Sequence, residues 1–234
     1  MLEVENISSF YGEIQALQDV SLKVNNGEFA VVFGPNGHGK STLLKTICGL
    51  HGITSGSIRF NGEEVSKLSP LDHVILGIVY IAEDRHLFPE MTVFENLKLG
   101  AYNSNARPKL SENMDLVFDL FPKLKLLSKR QARTLSGGEA RMLAIGRGLM
   151  SNAKLLAIDE PSLGLAPHLR TDVFSKIETI NKNGIEILMV EQDITEASEY
   201  TNKIYLMEDG KIVFEGNRDE VFKNKHVKEV FMGI

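Results

Sequence analysis

The 234-residue chain has no tryptophan and a single cysteine, Cys48, and aromatic residues make up only 7% of it. One cysteine excludes an intrachain disulfide and is typical of a reducing compartment. The longest uncharged apolar run, residues 74–82, has nine residues, about half of the roughly 18 that a membrane-spanning helix needs. The first residues lack a basic segment followed by an apolar stretch, so no signal peptide is expected. The sequence therefore predicts a globular chain that does not cross a membrane by itself.

Excess positive charge is also missing. The chain carries 26 basic and 31 acidic residues, a formal net charge of −5. A nucleic-acid partner held by bulk electrostatics needs clustered Lys and Arg, so this balance argues against one. Phosphate binding at one focused site remains compatible with the charge. The hydrophobic content of 43% and the length are sufficient for a buried core without disulfides.

Apolar runs that predict β-strands recur along the chain. Several are continuous rather than alternating, as in strands that helices cover on both faces. The runs are residues 21–24, 29–33, 57–60, 78–82, 155–158, 185–190 and 203–207. Helical patterns follow at residues 40–48 and 169–181, and each ends at a glycine. This alternation predicts an α/β fold with a mostly parallel sheet.

Residues 84–150 differ from their surroundings because their pattern is mainly helical. Ser111 is predicted to cap one helix, Pro122 to break it, and residues 103–109 to form a loop. We therefore expect a single domain, with a core of residues 1–83 and 151–234 and a helical subdomain inserted at about 84–150. The tail, residues 219–234, predicts one or two short amphipathic helices.

A glycine-rich loop, GPNGHGKST, follows the second predicted strand and precedes a predicted helix. It matches the pattern G-x-x-x-x-G-K-[ST], in which backbone N–H groups surround phosphates and the helix start adds a positive dipole. The lysine of this pattern reaches the β- and γ-phosphates, and the serine hydroxyl binds Mg²⁺. A glycine-rich turn before an ordinary helix is the weaker alternative. The candidate nucleotide-binding residues are Gly34, Pro35, Asn36, Gly37, His38, Gly39, Lys40, Ser41 and Thr42.

Two acidic residues end the strand LLAIDEP, at residues 155–161. A carboxylate at a strand end suits Asp159 as the Mg²⁺-side acid of a P-loop NTPase. Glu160 is then placed to orient or deprotonate an attacking water. An acidic pair before Pro161 at the start of a helix is the alternative, and the glycine-rich loop makes it the weaker one.

The stretch LSGGEARM contains a second helix start that faces an anion. Ser136 and Glu139 form an S-x-x-E capping box, and Gly137 and Gly138 leave backbone N–H groups uncovered. Plain helix capping is the alternative interpretation. The chain thus has one P-loop lysine but two helix starts suited to phosphate.

In their order along the chain, GPNGHGKST, LSGGEARM and LLAIDEP resemble the motifs of the ATP-binding subunits of ATP-binding cassette (ABC) transporters. The resemblance covers essentially the whole chain. The resemblance implies a P-loop NTPase core with an N-terminal antiparallel β portion. It also implies ATP hydrolysis with Mg²⁺ by a head-to-tail dimer. In the family, the signature loop, here Ser136, Gly137 and Gly138, binds the ATP that the partner subunit holds.

Other family positions can be placed by the same resemblance. Tyr11 lies where an aromatic ring stacks on adenine. Glu83 stands where members usually have a glutamine that contacts Mg²⁺, and Gln192 where they usually have a histidine. Glu83 either binds the metal or is neutralised by Arg85. Gln192 can donate a hydrogen bond to the γ-phosphate but cannot titrate near neutral pH.

Glu83, Gln192 and the stretch EPSLGLAP together resemble the ATPase subunits of branched-chain amino acid importers. That likeness implies a second ATP-binding subunit, a transmembrane permease and, indirectly, a solute-binding protein as partners. It also implies a peripheral position on the cytoplasmic face of the cell membrane. A lipid or lipopolysaccharide export ATPase and a soluble ABC ATPase are the alternatives.

Overall fold

The computed structural model describes residues 1–224 and 227, and their strands form two sheets. The first is four-stranded and antiparallel, with the order β2-β1-β4-β5. Its strands are β1 (Leu2–Tyr11), β2 (Ile14–Val24), β4 (Ser55–Phe60) and β5 (Glu63–Glu64). The predicted runs 21–24 and 57–60 are parts of β2 and β4, whereas no apolar run predicts β1.

The second sheet is six-stranded, with the order β10-β9-β3-β8-β7-β6. It contains β3 (Phe29–Phe33), β6 (Ile78–Ile81), β7 (Leu155–Asp159), β8 (Glu186–Glu191), β9 (Lys203–Glu208) and β10 (Lys211–Gly216). All neighbours are parallel except β9 and β10. The carboxyl ends of β3, β7 and β8 therefore meet at one edge, where α/β folds place their ligands.

Helices cover both faces of the second sheet. They are α1 (Lys40–Ile47), α2 (Pro70–Leu76), α3 (Val93–Gly100), α4 (Leu110–Leu120), α5 (Pro122–Leu126), α6 (Gly137–Leu149), α7 (Pro167–Lys182), α8 (Ile194–Ala197) and α9 (Arg218–Lys223). An α/β fold with a mostly parallel sheet, an antiparallel N-terminal portion and a helical insertion is confirmed. The limits of the helical subdomain at 84 and 150 stay a prediction.

Helix α4 differs from its prediction at its start and agrees with it at its end. Ser111 does not cap a helix, because α4 already begins at Leu110 and continues directly from a 3₁₀ turn at Arg107–Lys109. The break at Pro122 is confirmed, since α4 ends at Leu120 and α5 begins at the proline. Within the predicted tail helices, α9 is observed, and residues 225, 226 and 228–234 lie outside the described part of the chain.

The six-stranded sheet separates two hydrophobic cores. Phe29, Val31 and Phe33 of β3 point to the core that α3–α7 share, whereas Ala30 and Val32 point to the core beneath α1 and the antiparallel sheet. All five residues of β3 are buried, which explains the continuous apolar run. Within the described residues, no helix has the length and apolar character needed to span a bilayer.

Candidate active site

The glycine-rich loop joins the end of β3 to α1. Gly39 is the N-cap of α1 and has a φ of 99°, in the left-handed region, and a Cβ atom there would lie 2.7 Å from the Ala16 carbonyl oxygen. The helix has no side-chain cap and no acidic residue in its first turn. Its first N–H groups therefore have no side-chain acceptor and can bind an anion.

Lys40 is 4% exposed, and its ammonium group has three close acceptors. It donates to the carbonyl oxygens of Gly34 at 2.8 Å and Pro35 at 3.1 Å. Its Nζ also lies 3.2 Å from Glu160 Oε1, forming a buried ion pair. An ammonium has three protons, so these three partners satisfy it and hold the charge at the floor of the loop.

Asp159, at the end of β7, receives two hydroxyl hydrogen bonds. Ser41 Oγ donates to Oδ1 at 2.9 Å, and Tyr80 Oη donates to Oδ2 at 2.7 Å. Burial, followed by the hydrogen bond to Asp159, raises the pKa of Tyr80, so its phenol stays a donor at neutral pH. The carboxylate is thus oriented by residues from β6 and α1.

The oxygen groups around Ser41 suit Mg²⁺. The ion prefers oxygen ligands and usually takes only one or two carboxylates together with the phosphates of its substrate. Ser41 and Asp159 are in contact, and Glu83 lines the same cleft. In the described part of the chain, no group of three or more His, Cys, Asp or Glu side chains that could hold a metal ion is found.

Glu160 has a buried side chain and an unusual backbone. Its φ is 41°, and its N–H donates to the Val190 carbonyl oxygen at 3.1 Å. Arg141 of α6 donates from Nη2 to the Glu160 carbonyl oxygen at 3.2 Å and from Nη1 to that of Ala82 at 3.3 Å. The strained backbone is thus fixed from two sides, and it is α6 that provides one of them.

Arg141 is a fully buried cation among carboxylates. Burial, and then the charge of Arg85, lower its pKa to about 10, so it stays charged at neutral pH. The carboxylates of Glu191, Glu83 and Asp159 oppose that shift. Arg141 therefore offsets part of the negative charge at the strand ends. The motif LSGGEARM contains it, but nothing in its spacing shows where its side chain goes.

Glu191 lies buried at the end of β8. Burial raises its pKa to about 7, although its carboxylate accepts hydrogen bonds from Ser162 N at 3.0 Å and from Gln192 N at 3.3 Å. It thereby ties the loop after Glu160 to the end of β8. The next residue, Gln192, is exposed, and its side-chain amide has no hydrogen-bond partner within the described residues.

The P-loop borders a cleft of about 630 Å³. Nine candidate residues line it: Tyr11, Asn36, Gly37, Gly39, Lys40, Ser41, Thr42, Glu83 and Glu160. The remaining candidates do not line it: Gly34, Pro35, His38, Asp159, Gln192, Ser136, Gly137 and Gly138. His38 turns aside, since its Nδ1 accepts from the backbone N–H of Asp209 at 2.9 Å.

Glu83 is exposed to this cleft. Among the residues that the structure describes, it makes neither an ion pair nor a hydrogen bond, and so none with Arg85. The alternative in which Arg85 pairs with Glu83 is therefore not seen. The other alternative, proximity to the metal, stays a prediction.

The signature stretch begins helix α6, away from the cleft. Ser136 is the N-cap, and its Oγ accepts from Glu139 N at 3.4 Å while Glu139 Oε2 accepts from Ser136 N at 2.8 Å. These bonds, and the ion pair with Lys123 at 2.9 Å, lower the pKa of Glu139 to about 2. The predicted capping box is observed. Gly137 is exposed as expected, whereas Gly138 is buried, so the expectation that both glycines are uncovered is wrong for Gly138.

A mostly parallel sheet, a phosphate-binding loop before α1 and an acid pair at the end of β7 define a P-loop nucleotide-binding protein. The family model for ABC transporters matches residues 17–163, which is more than half of the chain. The chain belongs to the ABC transporter family.

Relatives match over the full length. The chain is 42% identical to the high-affinity branched-chain amino acid transport ATP-binding protein BraG of Pseudomonas aeruginosa, covering 100% of both. It is 36% identical to a probable branched-chain amino acid transport ATP-binding protein LivF of Archaeoglobus fulgidus, covering 100% of this chain and 99% of the relative. The lipopolysaccharide export system ATP-binding protein LptB of Haemophilus influenzae is 30% identical, with coverage of 100% and 97%.

Solved structures agree with the fold. A nucleotide-free ATP-binding cassette from an ABC transporter superposes with a TM-score of 0.88 at 33% identity, covering 100% of this chain and 99% of that one. A dimeric ATP-binding cassette in a post-hydrolysis state, bound to ADP and phosphate, gives a TM-score of 0.79 at 25% identity, with coverage of 93% and 98%. The fold of this chain is that of an ABC ATPase, a family that hydrolyses ATP.

Proposed function

We propose that the chain is the ATP-hydrolysing subunit of an importer for branched-chain amino acids and that it works as a head-to-tail dimer. Two contacts at the strand ends carry the hydrolytic part of the proposal. Lys40 pairs with Glu160, and Ser41 donates a hydrogen bond to Asp159. The importer assignment is supported by the two branched-chain amino acid relatives and by Glu83 and Gln192 at positions where that group has them.

ATP occupies the cleft beside the P-loop in this proposal. The N–H groups at the start of α1 and the Lys40 ammonium bind its phosphates, and Tyr11 stacks on its adenine at the other end. Ser41 and Asp159, with Glu83 nearby, would hold Mg²⁺, which neutralises phosphate charge when bound. Phosphoryl transfer asks little covalent chemistry of the protein, so positioning and electrostatics carry most of the rate.

Glu160 is the proposed general base. In the structure its carboxylate is paired with Lys40. Phosphates that draw the ammonium toward themselves leave the Glu160 carboxylate free to align and deprotonate a water. Gln192 donates a hydrogen bond to the γ-phosphate from the end of β8 and carries no proton to the reaction, because an amide does not titrate near neutral pH.

The ATP site is completed by a second chain. Ser136, Gly137 and Gly138 do not line the cleft of their own chain, which supports a role toward the ATP of a partner. The similar cassette that is dimeric and bound to ADP and phosphate supports assembly as a dimer. The partner is either an identical chain or a related ATP-binding subunit.

An apolar groove next to α3 is the proposed docking site for the permease. A cavity of about 510 Å³ lies between β6, α3 and α6, and Phe88, Leu99 and Tyr102 line it with exposed side chains. Tyr102 is 84% exposed. We place the chain peripherally on the cytoplasmic face of the membrane, where this groove receives the permease and couples hydrolysis indirectly to a solute-binding protein.

Substitution of the proposed base tests the hydrolytic function. Glu160→Gln is isosteric and should keep ATP binding while lowering turnover by about 100- to 10,000-fold, the usual contribution of a general base. Glu64→Gln, at an exposed position in β5, is the matched control and should leave turnover unchanged. ATP binding and phosphate release are measured on the same samples. Unchanged turnover in Glu160→Gln would contradict the assignment.

Reconstitution tests the importer assignment. Combined with a permease and a binding protein for branched-chain amino acids, the chain should hydrolyse ATP faster when the binding protein carries its solute. Stimulation by a lipopolysaccharide export complex instead would favour the alternative that the 30% identical LptB supports. Activity that neither complex changes would favour an ABC ATPase outside transport.

A further inference from the structure

The ring of Tyr11 is covered on one side by a histidine. The centroids of the Tyr11 and His51 rings lie 4.1 Å apart with an angle of 20° between their planes, a stacked arrangement. Tyr11 lines the cleft, whereas His51 does not. His51 therefore stacks on the rear of the Tyr11 ring, and the side of the ring that borders the cleft stays open to a flat ligand.

Hydrogen bonding does not account for the placement of His51. Its Nε2 is buried and has no hydrogen-bond partner within the described residues. A buried nitrogen without a partner is unfavourable, so the ring is held there by packing rather than by a polar contact of that atom. Among the described residues, the aromatic ring that stacks on His51 is that of Tyr11.

The backbone fixes His51 against the strand that carries Tyr11. Ser9 Oγ donates to the Gly52 carbonyl oxygen at 2.8 Å, and Thr54 N donates to the Ser8 carbonyl oxygen at 2.8 Å. Both bonds join the loop after α1 to β1, at residues one and three positions after His51. The loop cannot move away from Tyr11 without breaking them.

Helix α1 therefore connects the two ends of the cleft. Its first residue is Lys40 at the phosphate end, and the loop after its last turn carries His51 to Tyr11. Without a ring behind it, a tyrosine that is 48% exposed could rotate about its Cα–Cβ bond. Restricting a contact residue before a ligand arrives lowers the entropy cost of binding.

We propose that His51 is a positioning residue for the nucleobase, holding the Tyr11 ring so that it presents one face to the cleft for a flat heteroaromatic ring. The inference rests on the proposed function, since it takes ATP to be the ligand. The inference assigns ligand specificity to two parts of the cleft. The end around Tyr11 recognises the base, and the P-loop recognises the triphosphate.

The test compares two probes, ATP and inorganic tripolyphosphate, whose dissociation constants are measured by calorimetry on the single chain. His51→Ala should raise the dissociation constant for ATP about three- to tenfold, the range of one aromatic contact, and leave that for tripolyphosphate unchanged. In hydrolysis assays KM for ATP should rise while kcat stays the same. His51→Phe, which keeps a stacking ring, should restore ATP affinity.

Tyr11→Ala separates this inference from the proposed function. It should weaken ATP binding itself, and His51→Ala added to it should then have no further effect. If Tyr11→Ala leaves ATP affinity unchanged, base stacking on Tyr11 is wrong and the inference is overturned with it. If Tyr11→Ala weakens ATP binding but His51→Ala does not, only the inference is overturned.

Two other results would also overturn it. Tighter ATP binding by His51→Ala would show that the histidine occupies the face that the base needs. Equal weakening toward ATP and tripolyphosphate would show a general structural role. If His51→Ala unfolds, His51→Phe decides: normal ATP affinity supports the inference, and weakened affinity in a stably folded His51→Phe overturns it.

Discussion

Two helix starts in this chain are suited to phosphate, and they are built differently. The start of α1 has no side-chain cap, no acidic residue in its first turn, and a buried lysine at its first position. The start of α6 is closed by a capping box, in which Ser136 and Glu139 use each other's backbone N–H groups. One end is open to an anion, and the other is already satisfied within its own chain.

This difference indicates that the starts of α1 and α6 have different roles in phosphate binding. The α1 end can bind phosphates without help, because its N–H groups and the Lys40 charge face the cleft of the same chain. The α6 end carries a carboxylate beside its N–H groups, which disfavours a free anion. In the proposed dimer it would meet a phosphate that the other chain holds in a fixed position. This contrast accounts for one lysine and two helix starts in a single chain.

The largest effect is expected from Gly39→Ala at the α1 end. The substitution places a Cβ atom 2.7 Å from the Ala16 carbonyl oxygen and forces a non-glycine residue to a φ of 99°. Strain of this kind costs on the order of 1–3 kcal/mol, and we expect ATP affinity to fall about 10- to 100-fold or more. Calorimetric titration with ATP measures it.

Gly62→Ala provides the matched control. Gly62 also has a positive φ, of 84°, but a Cβ atom there meets nothing within 4 Å and the residue lies in the turn between β4 and β5. It should lower the free energy of unfolding and leave ATP affinity intact. Equal loss of ATP affinity in both variants would mean that strain alone, and not the shape of the loop, causes it.

A smaller and more selective effect is expected from Gly137→Ala at the α6 end. A Cβ atom there lies 3.7 Å from Leu165 Cδ2, an ordinary contact. The single chain should therefore stay stable and bind ATP normally. In the proposed dimer the added methyl would cover N–H groups that face the partner's phosphate, so ATPase activity should fall about 10- to 100-fold.

ATP-driven dimer formation in the Glu160→Gln background measures this second effect directly. The double variant should dimerise more weakly than Glu160→Gln alone, as followed by size-exclusion chromatography. A role of the α6 start toward a partner would be contradicted if the double variant dimerised normally and the single variant Gly137→Ala had normal ATPase activity.

Sequence patterns predicted the parts of this fold whose signals are local. The strand, glycine loop and helix around residues 34–42 are contiguous, and β3, β7 and β8 are continuous apolar runs because both of their faces are buried. Strand β1 was missed because polar residues interrupt it, and its pairing is broken by register shifts around Asn6, which has a φ of 47°. Ser111 misled because a 3₁₀ turn, and not a side chain, precedes α4.

The site shows the same limit. Lys40, Asp159 and Glu160 stand in motifs. Tyr80, by contrast, binds Asp159, which is 79 residues away in the chain. Arg141 lies in a motif, but it binds Ala82, 59 residues away, and the motif does not specify that contact. Glu191 and His51 are equally non-local, since Glu191 binds the loop after β7 and His51 stacks on the last residue of β1. A single sequence contains no signal for such contacts until the sheet order is known.

The smallest effect is expected from Glu139→Gln, which keeps an acceptor for the capping box but removes the charge and the ion pair with Lys123. The folded pKa of Glu139, about 2, is below its unfolded value near 4.3, so its ionised form stabilises the fold above that value and the contribution is lost as pH falls toward 2. After allowance for solvent screening, the variant should be less stable at pH 7 by a few tenths of a kcal/mol, and the difference should shrink below about pH 4.5. Urea unfolding between pH 3.5 and 7 measures it, with Glu95→Gln as control, because Glu95 forms the same box with Thr92 at the start of α3. In the proposed dimer only Glu139→Gln removes a charge beside the partner's phosphate. Glu139→Gln should therefore strengthen ATP-driven dimerisation, whereas Glu95→Gln should leave it unchanged. If Glu95→Gln strengthened ATP-driven dimerisation by the same amount, the carboxylate at the start of α6 would not act on the partner's anion.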